Sequence, residues 1–136
     1  MNSDMHANPK GLTITGWALT VPVVGLLCFS ALGKFMGGPE FDKNFVVKLG
    51  YPASTRIPIA LAEVACIVLL LIPRTCVLGA VLLTGYMGGA MATHIRVEEA
   101  WFVQFLVGVV GWLTVYCRVP AVRRVLPIRS EASSKI

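Results

Sequence analysis

The sequence predicts an all-α membrane protein, a bundle of four transmembrane helices with a short amphipathic helix in the first loop. The 136 residues are 56% hydrophobic and only 14% charged, with a mean hydropathy of +0.74, whereas soluble domains are about 45–50% apolar and about 25% charged. The Lys and Arg residues that give the net charge of +5 lie at the ends of apolar runs and have no aromatic residues interleaved with them. This pattern excludes a nucleic-acid-binding surface. Four apolar runs approach the length of a membrane span, about 20 residues: Leu12–Leu32, Ile57–Ile72, about Cys76 to His94, and Trp101–Cys117.

These runs define the predicted domain organisation. A polar N-terminal tail occupies residues 1–11, the four-helix domain residues 12–117, and a basic C-terminal tail residues 118–136. The first run is longer than the apolar core of a signal peptide, about 7–15 residues, and lacks an Ala-x-Ala site, so we expect a retained helix. The second run is short, and Pro52–Arg56 can add a turn at its start.

The loop of residues 33–56 has a helical pattern of its own. Pro39 stands where a first-turn proline is tolerated, and Phe41, Phe45 and Leu49 recur at every fourth residue. This pattern predicts an amphipathic helix that lies on the membrane surface or caps the bundle, with a solvated loop as the alternative.

The third run is rich in small residues. Its Gly85-x-x-x-Gly89 and Gly88-x-x-x-Ala92 spacings predict close packing against a neighbouring helix, because helix backbones can approach each other where side chains are small.

Charge placement predicts the orientation. Four spans put both termini on one side, together with seven of the 12 Lys and Arg residues, against five on the other side. Because Lys and Arg are enriched in cytoplasmic loops, we expect cytoplasmic termini and an external first loop.

One carboxylate, Glu63, interrupts the second run. An acidic side chain at the bilayer centre costs about 2.5–3.5 kcal/mol or more, so such residues usually face a bundle interior and have a partner. Glu63 lies six residues beyond Ile57, which is about 9 Å at 1.5 Å per residue. At similar depth, in the outer half of the bundle, we expect four polar side chains from four helices: Lys34, Glu63, His94 and Gln104.

Helical faces extend this polar cluster into a predicted cavity. Tyr86, Ala90 and His94 share one face of the third helix, and Gln104, Gly108 and Trp112 share one face of the fourth. Polar groups above an aromatic floor are typical of a site for a small amphipathic ligand. Glu63 and His94 are the candidate catalytic residues, since carboxylates and imidazoles exchange protons. The candidate ligand-binding residues are Lys34, Tyr86, Gln104, Arg96 and Trp112.

Each candidate also has a structural explanation. Glu63 can form an ion pair with Lys34 or Arg56, and Lys34 can extend to the membrane interface. Gln104 can hydrogen-bond between helices, whereas His94 and Arg96 can be ordinary loop residues. We find no metal-ligand cluster, nucleophile triad or phosphate-binding loop in the sequence.

The four cysteines show neither a C-x-x-C motif nor metal-ligand spacing. We interpret them as small buried hydrophobic residues. The alternative is a redox pair of Cys28 and Cys66, which we expect at similar depth.

Several motifs occur together in a recognisable order. They are SALGKF (Ser30–Phe35), LGYP (Leu49–Pro52), LAEVACIVLLLIPR (Leu61–Arg74) and LGAVLLTGYMGGAMATHIR (Leu78–Arg96). In this order they resemble the DoxX-like family of small four-helix integral membrane proteins, over about residues 12–117. The resemblance implies a bundle in a bacterial inner membrane. Some relatives are subunits of quinone-linked oxidoreductases, including thiosulfate:quinone oxidoreductase, and the motifs carry over to Lys34, Glu63 and His94.

The resemblance implies a component of a quinone-linked redox system. The alternatives are a non-enzymatic membrane subunit, scaffold or assembly factor and, less favoured without an internal repeat, a small-solute binder or transporter. The expected partners are the lipid bilayer and a quinone or a redox partner protein, with no nucleic acid. Whether the chain is an enzyme, and whether it forms an oligomer, is left open at this point.

Overall fold

The computed structural model describes residues 8–126, which are helical with short connections and contain no strand. The helices are α1 (Lys10–Met36), α2 (Pro39–Asp42), α3 (Arg56–Leu71), α4 (Cys76–Arg96), α5 (Phe102–Arg118) and α6 (Pro120–Val125). A π-helical segment, Lys43–Lys48, continues α2, and a 3₁₀ turn, Ala53–Thr55, precedes α3. The outer parts of the two predicted tails, residues 1–7 and 127–136, lie outside the described residues.

The predicted all-α membrane class is confirmed for the described residues. Three segments are long and apolar enough to cross a membrane: Lys10–Met36, Ala53–Leu71 and Cys76–Arg96. The fourth apolar helix, Phe102–Arg118, has only 17 residues. Large apolar side chains cover the outside of the helices, for example Phe29 at 77% exposed and Val21 at 70%, as expected of a surface that faces lipid.

The four long helices pack in a ring. α1 contacts α3 and α5, and α4 contacts the same two helices. The core between them contains apolar residues from every helix of the ring: Val23, Leu27, Ile67, Leu70, Leu83, Val107 and Val115. The helices therefore enclose one common interior in which a polar group is removed from lipid.

Glycines on α4 have two different surroundings. A Cβ at Gly79 would lie 2.5 Å from the backbone nitrogen of Leu70, so α3 and α4 touch through their backbones at this point. By contrast, no atom lies within 4 Å of a Cβ built on Gly85, Gly88 or Gly89. The predicted packing role of these three glycines is therefore wrong within the chain, since the close approach occurs at Gly79, about two to three turns earlier.

The first loop folds over one end of the ring, which we call the loop end. Pro39 is in the first turn of α2, and the Phe45 ring stacks between Phe41 and Tyr51, with centroid distances of 5.4 and 5.0 Å. Phe45 is only 4% exposed. The segment therefore caps the bundle instead of lying apart on the membrane surface.

The opposite end, which we call the terminal end, is tied together by Arg118. Its guanidinium donates hydrogen bonds to the carbonyl oxygens of Leu70 (2.9 Å) and Leu71 (3.2 Å). It also lies 3.9 Å from the ring centroid of Trp17, a cation–π distance. One side chain therefore links α1, α3 and α5, and α5 begins at the loop end and finishes at the terminal end.

Candidate functional site

Glu63 and Lys34 form an ion pair between α3 and α1. The Lys34 Nζ lies 2.9 Å from the Glu63 Oε2, and the Glu63 side chain is 1% exposed. Lys34 also donates to the Ser30 hydroxyl on its own helix, so it turns into the bundle rather than towards the membrane interface. Arg56 does not reach Glu63 and instead pairs with Asp42 at 3.1 Å.

The ion pair borders a cavity of about 510 Å³ at the loop end. Its walls come from α1, α3, α4 and α5, and the first-loop segment closes it with Phe41, Asn44, Phe45 and Leu49. The structure places five of the seven sequence-predicted site residues on this cavity: Lys34, Glu63, Tyr86, His94 and Gln104. Its volume lies within the range of small-molecule sites, about 300–1,000 Å³.

α4 supplies one wall of the cavity with Tyr86, Ala90 and His94, which recur at every fourth residue. The Tyr86 hydroxyl lies close to the Glu63 carboxylate. At the rim, the His94 Nδ1 is 3.3 Å from the Glu99 Oε2. The cavity therefore has a carboxylate and a phenol at depth, and an imidazole near its entrance.

Glu99 connects this rim to the first-loop segment. Its carboxylate forms an ion pair with Lys48 and lies beside the His94 imidazole. The hydrogen bond from Lys48, with a further contribution from His94, holds the pKa of the Glu99 carboxyl below its usual value of 4.5. The loop after α4 and the segment that covers the cavity are thus joined by charge.

α5 contributes Gln104 to the cavity but turns Trp112 away from it. The Gln104 Oε1 is buried and has no hydrogen-bond partner within residues 8–126. Trp112 lines a second cavity of about 220 Å³ between α4 and α5. Its indole N–H donates to the Thr84 hydroxyl at 2.8 Å. The floor of the first cavity is therefore not formed by Trp112.

Arg96 also lies outside the cavity lining. Its guanidinium donates to the carbonyl oxygen of Leu49 and lies beside Gly50, which has a φ of 71°. Arg96 therefore holds the end of the first loop against α4.

Two residues that sequence reasoning did not select belong to the site. The Tyr51 hydroxyl and the Thr93 hydroxyl are 2.6 Å apart, and both residues line the cavity. Tyr51 stands within the LGYP motif (Leu49–Pro52), but no sequence spacing relates it to Thr93 on α4. Only the fold of the loop over the bundle brings the two hydroxyls together.

The four cysteines are unpaired. Cys28 is exposed on α1, whereas Cys66 on α3 is buried, so the alternative pair of Cys28 and Cys66 does not form. Cys66, Cys76 and Cys117 are all at most 9% exposed, which fits small buried hydrophobic residues. For Cys28 that prediction is wrong, because this side chain lies on the exposed face of α1.

The arrangement can bind a small ring that carries oxygen atoms. Lys34, the Tyr86 hydroxyl and the Gln104 amide are hydrogen-bond donors, and the Gln104 amide oxygen is a free acceptor. Apolar side chains of Leu26, Leu27 and Val107 complete the lining. Glu63 and His94 add a carboxylate and an imidazole to this surface.

Comparison with known proteins adds one finding. A family model described as the DoxX-like family matches residues 18–117, which include every residue that lines the first cavity. No curated protein and no solved structure matches the chain.

Proposed function

This chain belongs to the DoxX-like family, and we propose that it acts in a quinone-linked redox system by binding a quinone head group in the 510 Å³ cavity. The observation that carries the proposal is a carboxylate, 1% exposed and paired with Lys34, on the wall of an otherwise mainly apolar cavity. Ionisable residues inside membrane segments are expensive, so they generally mark a functional site.

The polar groups suit both redox states of such a ring. A quinone presents carbonyl oxygens, which accept hydrogen bonds, whereas a quinol presents hydroxyls, which donate them. Gln104 serves both states, because its amide has an N–H₂ donor and the unpartnered Oε1 acceptor. The Tyr86 hydroxyl can likewise donate or accept.

Protons accompany the electrons in this chemistry. Reduction of a quinone to a quinol takes up two electrons and two protons. In the proposed role, Glu63 and His94 exchange the protons, and a separate redox protein exchanges the electrons. General acid–base groups of this kind must lie within hydrogen-bond reach of the reacting oxygen, which their positions on the same cavity allow.

The proposed setting is a bacterial inner membrane, which four helices cross with both termini in the cytoplasm. The fourth crossing is α5, whose 17 residues stand at the short end of the spanning range, about 17–25 residues. Its start at the loop end and its end beside Arg118 at the terminal end support a crossing. The cavity then opens towards the outer half of the membrane.

Titration of detergent-purified protein with a ten-carbon-tailed benzoquinone, followed by calorimetry, tests the function. We expect saturable binding that Glu63→Gln weakens at least tenfold, because the neutral amide no longer holds the Lys34 ammonium by an ion pair. Glu98→Gln is the matched control, since Glu98 is an exposed carboxylate outside the cavity. Absence of saturable binding by the wild type, or binding by Glu63→Gln as tight as that of the wild type, contradicts the proposal.

A second candidate function is a non-enzymatic membrane subunit or assembly factor. It is favoured by one observation, the open face of Gly88 on α4, since small residues let another helix approach in the membrane. A stable partner that co-purifies with the chain, together with no quinone binding, supports this candidate over the first.

A further inference from the structure

Two cavities in the bundle share part of their wall. The first is the cavity beside Glu63, and the second, of about 220 Å³, lies between α4 and α5. Met87 and Gln104 line both of them. The second cavity therefore adjoins the first at these two side chains, one of which is an unbranched and adaptable methionine.

The second cavity is a groove on the lipid-facing side of α4 and α5. Gly88 on one side leaves open space, because no atom lies within 4 Å of a Cβ built on it. Gly108 also lines the groove and carries no side chain to fill it. From Gln104 to Trp112 the groove follows eight residues of α5, about 12 Å at 1.5 Å per residue.

The two cavities differ in what they can bind. Apart from Gln104, which both cavities share, the polar side chains of the groove are already satisfied, since Trp112 donates to Thr84 and Thr84 donates to the carbonyl oxygen of Ala80. Beyond Gln104 the groove thus offers an apolar chain a surface of apolar groups and paired polar groups. The first cavity, by contrast, holds the buried ion pair and the free Gln104 Oε1.

We propose that the groove between α4 and α5 binds the hydrocarbon tail of the ligand whose polar ring occupies the first cavity. The tail passes Gln104 and Met87, the two residues that the cavities share. This inference rests on the proposed function, and it adds a second binding site and a direction, because the tail runs along α5 from the loop end towards Trp112.

The location of the tail is a sharper readout than the affinity. Lipid chains are as apolar as the groove, so a tail gains little free energy when it leaves the bilayer for the protein. A cross-link, in contrast, records where the chain lies.

The experiment uses two photoreactive benzoquinones with the same ring and the same ten-carbon tail. One carries a diazirine on the ring and the other at the end of the tail. Each is irradiated with the full-length protein in detergent, and the labelled peptides are identified by mass spectrometry. We expect the ring probe to label residues around Glu63 or Tyr86, and the tail probe to label residues between Phe105 and Trp112 or near Gly88.

A variant tests whether the groove itself is needed. Gly88→Leu fills the groove without an initial clash, and we expect it to reduce tail labelling in the groove at least tenfold while ring labelling persists. Gly25→Leu is the matched control, because Gly25 is equally open and lines neither cavity. If Gly88→Leu does not fold, Gly108→Leu replaces it, since a Cβ there meets Met87 at an ordinary 3.8 Å.

The outcomes separate the two proposals. Ring labelling in the first cavity combined with tail labelling on α1 or α3 overturns the tail site and leaves the proposed function intact. If unlabelled quinone suppresses none of the ring labelling, both the tail site and the proposed function are overturned. Unchanged tail labelling in Gly88→Leu also overturns the tail site, because the tail then does not need the groove. A changed oligomeric mass of this variant by light scattering then indicates that the groove is a contact between copies of the chain.

Discussion

At the scale of single residues, the ion pair of Lys34 and Glu63 places two opposite charges inside the bundle. Both charges are almost removed from solvent, with the carboxylate 1% and the lysine 12% exposed. A buried pair stabilises a fold little compared with apolar residues, but loss of one partner leaves an uncompensated charge. The pair is therefore a poor choice for stability alone, which supports a functional role.

Double substitution separates these effects. We expect Lys34→Met to lower the free energy of unfolding by about 3–5 kcal/mol, since Glu63 then lacks its cation. The double variant Lys34→Met/Glu63→Leu should recover most of that loss, while quinone binding stays absent. Thermal unfolding in one detergent provides the measurement, and a double variant no more stable than Lys34→Met contradicts the explanation.

Glu99 gives a pH-dependent prediction outside the membrane segments. Its folded-state pKa is lowered by Lys48 first and by His94 second, so its stabilising effect is present above the usual value of 4.5 and is lost as the pH falls through the lowered value. We expect Glu99→Gln to have a lower Tm than the wild type at pH 6–7, and the difference to shrink below about pH 4.5.

The neighbouring carboxylate is the control for that prediction. Glu98 makes no ion pair in the part of the chain that the structure describes, so Glu98→Gln should show no comparable dependence on pH. A difference between Glu99→Gln and the wild type that stays constant down to pH 3 contradicts the proposed charge link.

Part of the site could be predicted from single residues and part could not. A carboxylate in an apolar helix requires a partner, and the depth of each residue along its helix brings Lys34 and Glu63 to one level. Depth does not fix rotation, however. Trp112 shares a face with Gln104, yet the packing of α4 on α5 turns it into the second cavity. The contact of Tyr51 with Thr93 depends on the loop fold and has no sequence spacing.

At the scale of elements, α3 and α4 approach each other closely at Gly79. Of the glycines of α4, Gly79 is the one at which an added Cβ would lie nearest to the backbone of another helix. The two helices are joined by a short turn, in which the Thr75 hydroxyl donates to the carbonyl oxygen of Leu69. The turn and the backbone of Leu70 leave no room for a side chain on Gly79.

Gly79→Ala is therefore expected to destabilise the bundle. The added Cβ meets the backbone of α3 at 2.5 Å, and overpacking of this kind costs about 1–3 kcal/mol. Gly85→Ala is the matched control on the same helix, where the added Cβ meets open space and alanine is the better helix former. Equal thermal stabilities of the two variants contradict the assigned contact.

The elements show which sequence signals carry over to the fold. Apolar length and turn residues located the four long helices, and the recurrence of Phe41, Phe45 and Leu49 located the helical loop segment. The π-helical hydrogen bonding of Lys43–Lys48 was not readable, because it depends on how Phe45 stacks over the bundle. Glycine spacing indicated that another helix can approach the backbone of α4 closely. It identified neither that helix nor the glycine at which the approach occurs.

At the scale of the whole molecule, the two ends of the ring differ. The loop end contains the cavity, the ion pair and the covering segment. The terminal end is closed by Arg118 and by α6, whose Val122 is 8% exposed. In the described residues, the groups proposed to bind a ligand from the membrane therefore lie at the loop end. The side of the membrane that this end faces decides which partners can reach it.

Membrane sidedness is testable with single cysteines in a chain whose four native cysteines are replaced by serine. Val47, 78% exposed, marks the loop end, Arg74 marks the turn between α3 and α4, and Ala121 marks α6. With a membrane-impermeant maleimide, we expect Val47→Cys to react only from the outer side. Arg74→Cys and Ala121→Cys should react only from the cytoplasmic side, because α5 crosses the membrane.

Each deviation from this pattern has a distinct meaning. If Ala121→Cys reacts from the same side as Val47→Cys, α5 does not cross and the chain has three spans, because Arg74 then remains alone on the other side. If all three positions react from the sides opposite to those expected, the four crossings stand and the orientation is reversed. In that case the modest excess of Lys and Arg on the terminal side does not determine insertion, and the cavity opens towards cytoplasmic partners.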